Sequence, residues 1–582
     1  MKPTMLFLCS VLLFSTCHSK PPETANLILI NGNVYTLAWP DPSPANGAPA
    51  ASAPRTAAGW KGDAQAIAIR DGSIVFVGPN AGAMAHATPV TQVIDLHGAT
   101  VVPGLVDAHV HILELGRKLG RVDLVGVQTE VEAVDKVAAW ASGTPPGSWV
   151  VGYGWDDGAW ANHYPDMTLL SAKVPDHPVY LRGLHGYAVW GNRLAFQKAR
   201  IDATTSAPSG GEIRKDGKGR PTGILLNQAV GLLERAVPAE SPEELKEKVE
   251  AGLRAMTRAG YVAVHEAGAD AALMNAFETL AAEHRLQARM YAMVSGRDQD
   301  LVRRWIARGP DRTTDKLLTT RSVKVFFDGA LGSRGARLLA DYADAPGQRG
   351  VSGPENGFDA KLVAQAMRAG FQLSVHAIGD GANREALDYI QSVRGTGAAG
   401  GTDTRDRIEH AQVLDARDVP RFAALGAIAS MQPPHATEDM GWAEQRLGAD
   451  RVRGAYAWRT LRRSGARLVF SSDLPGTDYN IFYGLHSAIT RRDKSLQPAG
   501  GWRAEQRMSP EEALRGYTTW AAYTAFLEKE TGVLAPRRWA DLTVMDIDPL
   551  AVGERDPDRL LGGRIEMTIV AGRMVYRRPG SR

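Results

Sequence analysis

The stretch "VVPGLVDAHVHILELG" (residues 101–116) ends an apolar run on two histidines, His109 and His111. The run predicts a buried strand over 102–109. Because residues i and i+2 of a strand point to the same side, both imidazoles are expected to project together as half of a metal site. Asp107 is placed either to orient them or to cap the strand. Two partly solvated loop histidines are the alternative that this stretch leaves open.

The middle of the chain alternates strand-like apolar runs with helical patterns, which favours βαβ units and a parallel sheet. The fold class predicted is α/β, a (β/α)8 TIM barrel over 101–529. Two runs, 149–153 and 179–184, fall in a Trp-, Gly- and Pro-rich stretch, which we assign to an insertion at about 117–240, after strand 1. The eight runs assigned to the barrel are 102–109, 261–265, 288–294, 322–327, 371–376, 406–410, 426–431 and 468–472.

The two ends of the mature chain share a β-rich texture. "NLILINGNVYTL" (26–37) predicts a hairpin turning at Asn31-Gly32-Asn33, and "AIAIRDGSIVFVGP" (66–79) predicts a second at Asp71-Gly72. Short strands with turn signals return at 540–549 and 567–578. We therefore predict one small composite β-sandwich domain, built from 26–100 and 530–580, beside the barrel.

The N-terminus predicts export. Residues 1–20 have an early lysine, an apolar core from Leu6 to Phe14 and then small polar residues, the pattern of a signal peptide. Both cysteines of the chain, Cys9 and Cys17, lie in this leader, so any metal site in the body must use nitrogen and oxygen donors. "LFSTC" resembles a lipobox with Cys17 as a lipid anchor, although Phe14 and Thr16 depart from the usual residues. A membrane-anchored lipoprotein and a released periplasmic protein both remain open.

The composition of the chain limits the classes of binding partner that can be expected. A net charge of +3, from 67 basic and 64 acidic residues, gives no support for a nucleic-acid partner. No later apolar run approaches the twenty residues needed for a membrane span. A small-molecule substrate is the expected partner, and the sequence leaves a monomer and a homo-oligomer open.

Four further polar residues stand in or at the ends of predicted barrel strands, where catalytic groups of such barrels converge. Each has an ordinary alternative: a hydrogen-bonded core histidine, a turn aspartate or a lysine that reaches out of the barrel. Together with the first two histidines, they make a set that is hard to produce by chance. The four are Lys324 in "SVKVFFDG", His376 in "LSVHAIGD", His410 in "RIEHAQ" and Asp473 in "LVFSSDLP".

Lys324 is the most informative of these residues. An ammonium group inside an apolar strand is costly and should be deprotonated or modified. A neutral amine can react with carbon dioxide to form a carbamate, which is able to bridge two metal ions. Four imidazoles, that carbamate and Asp473 would then hold one or two divalent ions, with zinc favoured and manganese, iron and nickel open.

These motifs resemble the amidohydrolase superfamily, and within it the amidohydrolase 3 branch that includes N-substituted formamide deformylases. The resemblance runs from about 26 to 576. It implies that His109 and His111 lie on strand 1, Lys324 on strand 4, His376 and His410 on strands 5 and 6, and Asp473 on strand 8. The phrases that carry it are "GLVDAHVH", "DGALGSRGA", "VHAIGDGAN", "RIEHAQ", "SSDLP", "PTGILLNQA" and "RWADLTVMDIDP".

The predicted activity is hydrolysis of a non-peptide C–N bond, of N-formyl, N-acyl or related type, by a metal-activated water with Asp473 as the catalytic proton carrier. Hydrolysis of an ester, lactone or phosphoester at the same site is one alternative, and a non-catalytic exported binding protein is another. The candidate substrate-binding residues in the insertion are Tyr153, Trp155, Arg182 and His185, for which packing inside the insertion is the plainer role.

Overall fold

The computed structural model describes residues 23–156, 158, 160, 163–313, 317–395 and 403–580. The predicted leader, with Cys9 and Cys17, lies outside these residues. Within them, no helix combines the length and apolar character that crossing a membrane requires.

Eight parallel strands form the central sheet, and strands that are successive within it are neighbours. Its two edges meet because the Asp473 N–H donates to the His109 carbonyl (2.9 Å) and the His111 N–H donates to the Leu474 carbonyl (3.0 Å). The predicted α/β barrel and the choice of its eight runs are confirmed. We number as barrel strands 1 to 8 Leu105–Val110, Tyr261–Ala269, Arg289–Ser295, Leu318–Phe326, Gln372–Ala377, Arg407–His410, Ile428–Met431 and Arg467–Phe470.

Helices cover the outside of the barrel, so its strands are buried on both faces and read as almost continuous apolar runs. Every residue of barrel strand 3 is buried, for example. The helices that follow the strands in chain order include Ile112–Leu119, Pro242–Arg258, Ala271–Ala282, Gln299–Arg308, Ala360–Arg368, Asp380–Arg394, Val419–Leu425, Pro433–Asp439, Trp458–Arg463 and Ile481–Thr490.

The chain ends build two facing sheets that share one apolar core, which includes Leu29, Ile67, Val101 and Leu542. In spatial order, the four-stranded sheet contains Ser73–Gly78, Ala66–Arg70, Leu27–Ile30 and Gln92–Asp95. The five-stranded sheet contains Asn33–Val34, Thr100–Pro103, Leu542–Met545, Ile565–Val570 and Arg573–Arg577.

The predicted first hairpin and the predicted strand 102–109 were both wrong, because in each the chain passes from one sheet to another. Leu27–Ile30 and Asn33–Val34 do not form a hairpin, because each pairs in a different sheet of the sandwich. The predicted strand 102–109 is also divided, with Thr100–Pro103 in the sandwich and Leu105–Val110 in the barrel. The break falls at Gly104, where a Cβ would lie 2.3 Å from the Val262 side chain. The hairpin at Asp71-Gly72 is confirmed by the antiparallel pairing of its two strands.

Between the first barrel helix and barrel strand 2, the chain forms a separate six-stranded sheet. The Arg117 guanidinium forms an ion pair with the Glu240 carboxylate (2.7 Å), which joins the two ends of this insertion. The Lys248 ammonium contacts the same carboxylate at 2.6 Å. In spatial order the strands are Val122–Asp123, Val150–Trp155, Val179–Gly183, Ala188–Gly191, Pro221–Asn227 and Gly211–Lys215, with helices at Glu130–Ala141, Met167–Lys173 and Arg193–Lys198.

Candidate metal centre

The carboxyl-terminal ends of the barrel strands bring the predicted metal residues together. The ring centroids of His109 and His410 are 5.0 Å apart, and those of His376 and His410 are 4.5 Å apart. The Lys324 Nζ lies 3.2 Å from the His109 Nε2. Ligand atoms of His109, His410 and Asp473 all lie within 4.8 Å of one another, close enough to share one ion. The dispersed sequence motifs therefore meet in one cluster.

His111 joins the cluster from just beyond its predicted strand. Barrel strand 1 ends at Val110, and His111 is the residue before helix Ile112–Leu119. The ring centroids of His109 and His111 nevertheless lie 5.6 Å apart. The Asp473 Oδ1 is 3.6 Å from the Nε2 of His109 and 3.4 Å from the Nε2 of His111. One carboxylate oxygen thus faces both histidines of the HxH pair.

Buried acceptors hold the second nitrogen of two of the imidazoles. The His109 Nδ1 is 2.7 Å from the Glu409 Oε2, and the His410 Nδ1 is 2.9 Å from the Gln432 Oε1. These contacts favour a proton on Nδ1 and leave the Nε2 lone pair for an ion.

His376 adds a further sign that the donor set suits a metal. Its Nε2 is 3.3 Å from the Asp328 Oδ1, yet it is buried without a hydrogen-bond partner among the described residues. Nitrogen and carboxylate donors of this kind are those of zinc and related divalent ions. The residues present therefore fit a divalent metal ion.

A buried arginine anchors the Glu409 carboxylate. The Arg407 Nε lies 2.7 Å from the Glu409 Oε1, and both side chains are fully buried. Arg407 also donates to the Ala108 carbonyl (2.6 Å) and to the Ser430 Oγ (3.0 Å). A charge pair buried this completely is costly unless its remaining hydrogen-bonding groups are satisfied. Arg407 therefore fixes Glu409, which in turn fixes His109.

The backbone is strained where two of the candidate ligands stand. His410 has φ of 76° and Asp473 has φ of 60°, in the left-handed region that residues other than glycine seldom adopt. Asp107 clamps the loop that carries Asp473, because it accepts from the Ser472 N–H (3.0 Å) and from the Ser472 hydroxyl (2.6 Å). Asp107 thus orients this loop, which is neither of the two roles predicted for it.

Burial shapes the charges of the cluster. It lowers the pKa of His109 to about 4 and that of His410 well below its usual range, which favours neutral imidazoles. Burial also lowers the pKa of Lys324 to about 8, which makes its amine easier to deprotonate. Burial alone would raise the pKa of Asp473, but the surrounding histidines, His109 first, hold it well below its usual range. The site therefore favours neutral His109 and His410 beside an ionised Asp473, whereas His111, for which burial is outweighed by Asp473, has a raised pKa.

The four candidate substrate residues lie on the insertion, and within the described residues none has a hydrogen bond or ion pair to the six metal candidates. Trp155 is fully buried, and its indole N–H donates to the Leu181 carbonyl (2.9 Å), so it packs in the insertion core. Arg182 pairs with Glu234 (3.1 Å). His185 is mostly exposed and lies 3.6 Å from Asp156.

Tyr153 contacts the wall of an open cavity. Its hydroxyl donates to the Asp123 carboxylate (3.4 Å), and Asp123 lines a cavity of about 610 Å³ beside the loop that follows Asp473.

Sequence reasoning missed the supporting residues and one further histidine. Glu409 stands one residue before His410 in "RIEH", and Gln432 and His435 lie in "MQPPH", directly after barrel strand 7. A polar residue beside a candidate ligand at a strand end was the available signal. His435 lies beside Asp473, with its Nε2 3.6 Å from the Asp473 Oδ2.

Comparison with known proteins agrees with this geometry. The amidohydrolase family profile matches residues 92–576. YtcJ of Bacillus subtilis (strain 168), which is named as an amidohydrolase, is 30% identical over 84% of this chain and 92% of its own. The N-substituted formamide deformylase of Arthrobacter pascens is 27% identical over 89% of this chain and 96% of its own. A crystal structure of a metal-dependent hydrolase from Pyrococcus furiosus is 25% identical, with a TM-score of 0.69, and the match covers 90% of this chain and 99% of that one.

The fold and the site define a (β/α)8 protein with an imidazole and carboxylate cluster at the carboxyl-terminal mouth of its barrel, the location of active sites in this fold. The chain belongs to the amidohydrolase family, as its motifs predicted.

Proposed function

We propose that the protein hydrolyses a non-peptide C–N bond of an N-formyl, N-acyl or related amide, with one or two divalent metal ions, zinc favoured. The position of Asp473 is the observation that carries this proposal. Its Oδ1 faces the Nε2 atoms of His109 and His111, at 3.6 and 3.4 Å, while its side chain keeps a fifth of its surface exposed. A carboxylate held between the ligands and open space can reach both an attacking water and a leaving nitrogen.

The histidines and Asp473 have different roles in the proposed reaction. A bound divalent ion would supply Lewis-acid activation of the attacking water and the carbonyl. His109, His111, His376 and His410 would hold it. Glu409 fixes the orientation of His109, and Gln432 fixes that of His410. Asp473 would take a proton from the water and pass it to the leaving nitrogen. The formamide deformylase relative supports an amide substrate, since its name describes removal of a formyl group from nitrogen.

The chemical state of Lys324 affects how many metal ions the site can hold. Its amine is buried and 3.2 Å from the His109 Nε2, where a carbamate would place a carboxylate among the imidazoles. We propose that Lys324 is carbamylated and bridges two ions. A crystal grown with bicarbonate should show added density on Nζ, and a bare amine beside a single ion would refute the bridge.

A substrate panel tests the activity. Protein purified without added metal or chelator should hold one or two equivalents of metal by elemental analysis. It should hydrolyse N-formyl or N-acyl amides faster than esters, lactones or phosphoesters, and it should lose this activity on chelation. Preference for one of the latter classes would replace the amide assignment. Less than about 0.2 equivalent of metal, with no activity regained on adding zinc or manganese, would favour the binding protein instead.

A further inference from the structure

His435 lies at the open edge of the metal centre, and no role has been assigned to it so far. It stands in the first turn of helix Pro433–Asp439, directly after barrel strand 7. Its Nε2 is 3.6 Å from the Asp473 Oδ2, the carboxylate oxygen that does not face His109 and His111. Its ring is parallel to that of His410, with centroids 5.7 Å apart and planes within 12°. The stack aims one ring nitrogen at the space in front of Asp473.

The ring of His435 is held differently from those of His109 and His410. Each of those two has a ring nitrogen fixed by a buried side-chain acceptor. In the part of the chain that the structure describes, the His435 ring forms no hydrogen bond, and its side chain is 15% exposed. Unlike His109 and His410, His435 thus has no buried acceptor that fixes its ring, which leaves its nitrogens available to a substrate.

A cavity of about 610 Å³ lies beside the elements that carry the site. Leu115, Glu438 and Pro475 line this cavity. They lie four residues after His111, three after His435 and two after Asp473. Each element that carries one of these three site residues therefore also contributes to the cavity wall. A substrate bound between the cavity and the metal centre would meet His435, whose side chain is 15% exposed, beside Asp473.

On the basis of the function proposed above, we propose that His435 is a catalytic hydrogen-bond donor to the oxygen of the scissile carbonyl. Asp473 must contact the water and the leaving nitrogen because it moves the proton between them. The carbonyl oxygen is the remaining polar atom of the amide, and a donor on the outer side of Asp473 can reach it. As water adds to the carbonyl carbon, this oxygen gains negative charge. The C–N bond then breaks, the nitrogen leaves with the proton from Asp473, and His435 keeps its own proton throughout.

Two variants test the donor in the full-length, metal-containing enzyme. Loss of one oxyanion donor reduces kcat by about 10²–10³-fold, which is the effect expected for His435→Ala. His435→Gln retains an N–H donor and should recover part of the loss. Metal content should stay unchanged in both. His284→Ala, which removes an exposed histidine before barrel strand 3 at the opposite end of the barrel, is the control and should behave as wild type.

Binding of methylphosphonate, a tetrahedral anion that mimics the intermediate, gives a second measurement by calorimetry. His435→Ala should weaken its binding at least about tenfold, in line with the loss of a charge-assisted hydrogen bond. The proposal is overturned if kcat and methylphosphonate affinity both stay within threefold of wild type. It is also overturned if His435→Ala loses half of the metal, because His435 would then be a ligand. If the wild type hydrolyses no amide, the proposed function fails, and methylphosphonate binding still tests His435.

Discussion

Asp473 combines a chemical role with an unusual backbone conformation. Its φ of 60° is tolerated by asparagine as well as by aspartate. Asp473→Asn should therefore keep the loop and remove only the base. We expect kcat to fall by about 10²–10⁴-fold, with less than half of the metal lost, as measured by steady-state kinetics and elemental analysis.

Asp450→Asn is the matched control, because Asp450 is an exposed aspartate that pairs with Arg453 away from the cavity, and the change should leave kcat unchanged. A variant at Asp473 that retained more than about a tenth of wild-type kcat would remove Asp473 from the proton transfer.

Glu409 acts on the metal through His109. Glu409→Gln exchanges the carboxylate beside the His109 Nδ1 for a neutral amide, so we expect metal affinity to fall by about 10–100-fold in chelator competition. The metal-free variant should also lose about 3–5 kcal/mol of unfolding free energy, because Arg407 is left buried without its charge partner.

Glu528→Gln, which removes a partly exposed partner of Arg405, is the control and should leave metal affinity unchanged. Wild-type affinity in Glu409→Gln would show that the contact with His109 is packing alone.

The sequence predicted His109, His376 and His410 as ligand candidates because each carries a metal-binding group at the end of an apolar strand. The roles of Glu409 and His435 depend on tertiary contacts that the local sequence does not show. Glu409 could equally have pointed to the outside of the barrel, and nothing local in "RIEH" shows that Arg407 turns back onto it. His435 follows two prolines outside any strand, so its approach to Asp473 depends on how barrel strands 7 and 8 pack.

At the scale of the elements, alternation of apolar residues identified strands but not the sheets to which they belong. The turn at Asn31-Gly32 carries the chain from one sheet of the sandwich to the other, although its residues are typical of a hairpin. Gly104 similarly passes the chain from the sandwich into the barrel, because only a residue without a Cβ fits against Val262. Both choices depend on partners far away in the sequence.

The ion pairs at the base of the insertion should make stability depend on pH. Burial tends to raise the pKa of Glu240, but Arg117 and Lys248 lower it to about 2. Because the folded value lies below the unfolded one, about 4.3, the stabilisation is complete above about pH 5 and is lost as the pH falls toward 2. After allowance for partial exposure, Glu240→Gln should lower the unfolding free energy at pH 7 by about 1–2 kcal/mol.

Denaturant unfolding of both proteins at pH 7 and pH 3 checks this, and the difference between them should shrink at the lower pH. Glu114→Gln removes a more exposed partner of the same Arg117 and should have a smaller effect. An equal difference at both pH values would contradict the assignment to Glu240.

At the scale of the whole molecule, both chain ends contribute strands to one sandwich, so the fold is complete only when Leu542–Met545 has paired with Thr100–Pro103. The short strands predicted at both ends of the chain led us to expect one β-domain built from the two ends. The sequence could not predict the shape of the insertion sheet, because its short strands mix parallel and antiparallel neighbours. Trp155, a candidate substrate residue from the sequence, packs against Trp190 in its core.

The last prediction concerns the cellular location of the protein. We propose that it is exported, because residues 1–20 have the composition of a signal peptide. Fractionation of bacterial cells that express the protein should find it in the periplasm, or attached to the membrane through a lipid on Cys17. N-terminal analysis should show a chain that has lost its leader. Cys17→Ser should release an attached protein, and unchanged attachment would remove the lipid anchor. Full-length chain beginning at Met1 in the cytoplasm would refute export altogether.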